Sequence, residues 1–387
     1  MRCWRGAVVV AVVAASSLVT AGVGQATPTW SAVDLGTLGG SSSFATDISP
    51  SGEVVGWSST AGDSDVHGFS WTRAGGMVDL GSLGGQWTYA THVSSSGQVI
   101  GSAGSRAFSW TPSTGLVDLG DLGGGYSFPA DVNGSGTVVG VSSDADANQR
   151  AFIWTAAGGM RDLGTLGGSW SSAEAIAPSG AVTGFSALPG DASVHAFLWT
   201  RVSGMVDLGT LGGSSSFGVG IAANGAVVGT SELEGDTISH AFRWTAAGGM
   251  VDLGTLGREQ SVDVLIAQNG VVAGQHFNLG PVGIPVDWGG FVWSAGQGAA
   301  DIGGLGGYTW VLGSSNSSVV GYSEIAVNSL EVHAFVWKHE MGMIDLGVPL
   351  GGTQSQALAV DESGQVAGYS TLPGNQAAHA VLWQPAG

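Results

Sequence analysis

The sequence predicts an all-β fold, an eight-bladed β-propeller of four-stranded blades, and three observations predict it. The phrase Asp-Leu-Gly, once Asp-Ile-Gly, begins at Asp34, Asp79, Asp118, Asp162, Asp207, Asp252, Asp301 and Asp345, with spacings of 45, 39, 44, 45, 45, 49 and 44. Glycine supplies 69 of 387 residues, a load that suits turns and tight backbone approaches rather than helices. The chain also opens on a lone Asp-Leu-Gly strand, Ala32 to Gly36, and stops at Trp383, one strand short of a full unit. Units of about 40–45 residues are the scale of a propeller blade.

Ahead of the repeats, residues 1–26 read as a secretory signal peptide. Arg2 and Arg5 form a charged start, Ala7 to Ala15 an apolar stretch, and Gly24-Gln25-Ala26 a small-residue cleavage site. Cleavage there removes Cys3, the only cysteine, and with it any disulfide, thiol nucleophile or thiolate metal site. An uncleaved segment would instead anchor the chain. No later apolar run reaches the roughly 18 residues of a membrane span. The expectation is a secreted, extracellular protein whose residues 27–387 form a single propeller domain. Its formal charge of −19, with Lys338 the one lysine, excludes nucleic acid and an anionic membrane surface as partners.

Each unit then divides into four strands. A Val-rich run ending in glycine, from Val54-Val55-Gly56 to Val366-Ala367-Gly368, and a Phe-x-Trp run, from Phe69/Trp71 to Phe335/Trp337, are β-branched or aromatic segments bounded by Gly and Ser. The eighth copy of the second run is Val381-Leu382-Trp383. A turn such as Ser49-Pro50-Ser51-Gly52 precedes the Val-rich run and follows a short strand, Phe44 to Ile48 in the first unit. Gly-Met-Val-Asp-Leu-Gly is the remaining strand. With the strands named a to d and Asp-Leu-Gly on d, the C-terminus supplies a, b and c of the last blade and the N-terminus its d. That closure removes the edge an open solenoid would have to cap.

His195-Ala196-Phe197-Leu198-Trp199-Thr200, followed by Gly204-Met205-Val206-Asp207-Leu208-Gly209-Thr210-Leu211-Gly212-Gly213, resembles the signature of the bacterial HAF extracellular repeat family. The resemblance runs through residues 32–383 and implies export and a repeated β-architecture. It implies no reaction, cofactor or catalytic residue.

Loop lengths point to one face. The Trp-to-Asp spacing across the c–d turn is 8 in all seven cases, whereas the interval from the strand b glycine to Phe-x-Trp runs from 7 to 17. In an antiparallel blade the b–c and d–a connections share a face, and variable loops on a rigid scaffold are where function is usually carried. His67, His195, His240, His333 and His379 precede the Phe-x-Trp runs, with Arg106 and Arg150 in two units and Gly290 in the sixth. Equivalent positions on separate blades cannot converge on one ion, so these residues predict a structural polar ring pairing with the repeated aspartates, not a metal site.

Aromatics outside the repeat pattern are the ligand-binding candidates: Trp87, Tyr126, Trp170, Tyr308 and Trp310, in Gly-rich d–a loops where exposed rings can stack on sugars. The acidic b–c groups Asp63/Asp65, Asp144/Asp146 and Glu232/Glu234/Asp236 read as solvated loops, with Ca²⁺ the one cofactor such carboxylates could hold, though none has EF-hand order. No nucleophile elbow, zinc helix, phosphate loop or dinucleotide fingerprint occurs, so no catalytic residue is assigned. The sequence therefore predicts a monomeric binding or scaffold propeller for an extracellular polysaccharide or protein. The alternative is a carbohydrate-active hydrolase or lyase using carboxylates of the variable face, where the sixth b–c loop, Gln275 to Gly290, departs from the others.

Overall fold

The computed structural model describes residues 30–386 apart from 86, 237, 255–259, 267–271, 280–284, 295 and 316; the proposed signal segment, 1–26, lies outside the described residues. Eight four-stranded antiparallel sheets form a closed ring. In blade 1 strands a to d are Gly39–Ile48, Val54–Thr60, Val66–Thr72 and Gly76–Asp79. Blade 8 joins Ser355–Val360, Val366–Thr371 and Ala378–Pro385 to the N-terminal strand Trp30–Asp34, which pairs Trp30 with Pro385 and Asp34 with Val381.

The repeated phrase explains itself locally. The Asp side chain accepts the N–H of the glycine two residues on, at 2.7–2.8 Å in all eight copies. That glycine has left-handed φ, +73° at Gly36, which only glycine adopts without strain. The intervening Leu or Ile is buried every time, from Leu35 to Leu346. Sealing the end of strand d and filling the core are thus done by adjacent residues.

The core lies in the seams between blades. Leu35, Ala380 and Leu382 of blade 8 pack with Val54, Phe69 and Trp71 of blade 1, and equivalent clusters follow round the ring. Buried strand a hydroxyls cross the same seams: Ser43 donates to the Gly36 carbonyl at 2.5 Å and accepts the Ala380 N–H at 2.9 Å. Ser127, Ser171, Ser216 and Ser355 repeat this bridge, so each buried hydroxyl is satisfied on both sides.

Strand a carries a register break, between Ala45 and Asp47 in blade 1, that recurs in every blade. It presses the Phe44 carbonyl onto Gly56, where a Cβ would sit 2.0 Å from the oxygen. The strand b glycines are therefore close-approach residues. Strands a of neighbouring blades touch and form the inner wall. Their a–b ends surround an axial cavity of about 350 Å³ bordered by Ile48, Ile176, Ile221 and Val360.

In the sixth blade the register corrects the sequence alignment. Gly289, not Gly290, stands at the histidine position, and it faces His276 on strand b. Six of the other blades have serine at that strand b position and blade 2 has Ala103.

Candidate functional site

On the histidine ring, His67 Nδ1 lies 2.9 Å from Asp79 and His195 2.8 Å from Asp207. His240–Asp252, His333–Asp345 and His379–Asp34 repeat the geometry at 2.8, 2.9 and 3.0 Å. Each pair joins strands c and d of one blade, so the ring is a set of separate braces. Arg106 bonds Asp118 and also Asp121 in the following loop. Arg150 departs from the expected pairing with the repeated aspartate: its Nε donates to Asp144 at the end of strand b of its own blade, at 2.9 Å. In blade 6 the fully buried His276 lies opposite on strand b with Nε2 3.6 Å from Asp301, beyond hydrogen-bond reach, and neither of its ring nitrogens finds a hydrogen-bond partner among the described residues.

The acidic loop residues are largely committed to backbone. Asp63, Asp191 and Asp236 occupy left-handed turns, and each accepts a backbone N–H 22 residues away, from Ser41, Ser169 and Ser214 at or just ahead of strand a, at 2.7 Å. Asn375 does the same for Thr353. These bonds hold the Asp63 and Asp191 carboxyls below the ordinary value of 3.8. Asp144 falls to about 2, chiefly through Arg150 and then the Asn148 and Asp146 amides. A depressed carboxyl stabilises its loop above the unfolded pKa and loses that contribution as pH falls through the folded value. Amides of Asp146 and Asn148 should therefore lose hydrogen-exchange protection between about pH 4 and pH 2. Equal protection factors at pH 5 and pH 2 would contradict that assignment.

The five candidate aromatics are placed unevenly. Trp87, just ahead of strand a of blade 2, is 54% exposed and bridges to Val66 at the start of strand c of blade 1. Tyr126, Trp170, Tyr308 and Trp310 are half-buried and lean on other rings: Tyr126 on Phe128, Trp170 on Phe185, Tyr308 on Trp310, and Trp310 on Tyr322. Sequence reasoning missed most of these partners. Phe44 and Trp57 stack at 4.2 Å, and they extend edge-on to Tyr369 of blade 8 and Tyr89 of blade 2. The arc thus runs Tyr369–Phe44–Trp57–Tyr89 through three blades. Trp170–Phe185–Phe217 forms a second arc across blades 4 and 5. Phe44, Trp57, Phe185, Trp310, Tyr322 and Tyr369 share one a–b register level. Burial pushes the Tyr369 phenol up to about 12, with Tyr322 adding to it, so it stays a protonated donor.

A polar sector on the inner strands was also missed. Blades 1 to 3 place Asp47, His92 and Asp131 at one strand a position, where blades 4, 5, 7 and 8 place Ala175, Gly220, Gly313 and Ala359. Both oxygens of Asp47 are used, by the Ile48 N–H and by the Val93 N–H of the next blade. Burial raises its pKa, and His92 and those two amides oppose the rise. Asp131 likewise reaches Ile176 of blade 4. These two carboxylates are seam braces. Comparing strand a copies one by one would have found them, since they do not repeat.

No family model and no curated protein matches this chain. Among solved structures it is similar to a Mycobacterium tuberculosis puromycin-hydrolysing peptidase, with TM-score 0.54 and 13% identity over 87% of this chain and 58% of that one. A puromycin hydrolase gives 0.52 and 12%, over 89% and 60%. A streptogramin B lyase gives 0.48 and 11%, over 92% and 97%. This chain therefore spans about three fifths of the peptidases' length. At these identities the likeness is one of fold: a propeller.

Proposed function

We propose that the chain is a secreted binding propeller of the HAF repeat type, whose ligand is an extracellular glycan held by the aromatic arc of the inner strands. The observation that carries this reading is the line of half-exposed rings Tyr369, Phe44, Trp57 and Tyr89 at one level of three adjacent blades. A blade packs without them: the same strand positions hold Ser172, Gln356 or Ser102 elsewhere. Flat apolar faces with polar edges suit sugar rings, whose C–H faces stack and whose hydroxyls reach outward.

A glycan array read for both binding and chain cleavage tests the reading. The mature protein should retain a defined set of neutral glycans without shortening them. Trp57→Ala should weaken that binding about three- to tenfold, the worth of one aromatic contact. Cleavage products would favour the hydrolase or lyase alternative. An array with no retained glycan would end the glycan reading and leave a protein ligand.

A further inference from the structure

We propose a second binding site, in the cleft between blades 3 and 4, for a carboxylate-bearing sugar such as a uronic acid residue. The cleft is about 850 Å³ and opens where c–d turns meet a–b turns, away from the variable loops. Arg161 of blade 3 and Arg201 of blade 4 both border it. Neither makes an ion pair with any described residue. Asp162 borders the cleft too, with Oδ1 committed to the Gly164 N–H. In a chain with 29 acidic and 10 basic residues, two unpaired guanidinia on one cleft oppose the overall charge. The repeat does not need them, because the position of Arg161 is Val78, Val117, Val206 or Val251 in four other blades.

The rest of the lining fits a sugar. Trp199 is partly exposed there, like its equivalents Trp244, Trp293 and Trp337, whereas Trp71, Trp110, Trp154 and Trp383 are buried. Ile153 gives an apolar floor and Thr200 a hydroxyl. A planar guanidinium matches a carboxylate with two parallel N–H donors, and the indole supplies the stacking face. The corresponding seam between blades 6 and 7 has Ala300 and His339 at the two arginine positions, and its cavity is only about 140 Å³. The site is a departure of one seam.

This site presumes a glycan-binding protein but is separate from the aromatic arc, so the two fail independently. Calorimetric titration of the mature protein with trigalacturonate is the test, alongside its methyl ester. Arg161→Val with Arg201→Ala restores residues other blades carry at these places, so folding should be retained; a thermal melt verifies it. Trigalacturonate should bind, more weakly as salt rises, and the double variant should lose at least about tenfold in affinity. Arg73→Ala, at the turn equivalent to Arg201, should bind it as the parent does. Absence of binding, equal affinity for the methyl ester, or an unchanged double variant would overturn the proposal. Loss in Trp57→Ala alone would move the acidic sugar to the arc.

Discussion

Deletion of residues 30–37 should abolish soluble, folded protein. Those residues include the whole N-terminal strand, which pairs five residues with strand c of blade 8 and buries Leu35 in the seam between blades 8 and 1. Burial of Leu35 is worth about 1.5–3 kcal/mol. The lost ladder adds about 0.5–1.5 kcal/mol per hydrogen bond. Together they approach the roughly 5–15 kcal/mol that holds an ordinary domain. His379 also loses Asp34, and the fully buried Ala380 loses its Leu35 partner. The strand Ala378–Pro385 becomes an open edge, a template for intermolecular pairing. Soluble yield and a thermal melt of parent and truncated protein decide it. A melting midpoint within about 2 °C and normal yield would mean that the latch is dispensable.

Gly229→Ala should be the most damaging single substitution of its size. The added methyl would lie 1.8 Å from the Phe217 carbonyl oxygen and 2.9 Å from Phe242 Cε1, both fixed by the strand a register break and a fully buried ring. No rotamer relieves a Cβ. The expected destabilisation is at least about 3 kcal/mol, or roughly 4 °C in Tm for a ring of this length that melts as one unit. Gly85→Ala is the matched control, with nothing within 4 Å of its Cβ position and no left-handed φ. It should melt with the parent. Equal melting of the two variants would show that strand a yields at no cost.

Blade number, strand order and closure were legible because they are written in repetition: eight Asp-Leu-Gly phrases, a constant c–d turn and complementary ends. The reason for the strand b glycine was not. It comes from a carbonyl on another strand, displaced by a bulge that leaves no residue signature. Arg150 illustrates a second limit. Its register predicts Asp162, but a long side chain chooses the better acceptor, and Asp144 at the end of the adjacent strand b offered one. The aromatic arc was not legible: Phe44, Trp57, Tyr89 and Tyr369 looked like ordinary strand residues until the blades were set side by side, and Trp170 and Trp310, which stood out by position, lie outside it. Asp47 and Asp131 escaped for the opposite reason, because repeat-based reading averages away what only some copies carry.

The sixth blade keeps an imidazole near the strand d aspartate while giving up the strand c position that carries it in five other blades. Its imidazole still comes within 3.6 Å of the strand d aspartate, but it arrives from His276, and the ring fills the place of any side chain at 289, where a Cβ would stand 2.5 Å from His276 Cε1. The two placements are mutually exclusive: a side chain at 289 and the ring of His276 would claim the same space, so putting the repeat's histidine back at 289 requires a smaller residue at 276.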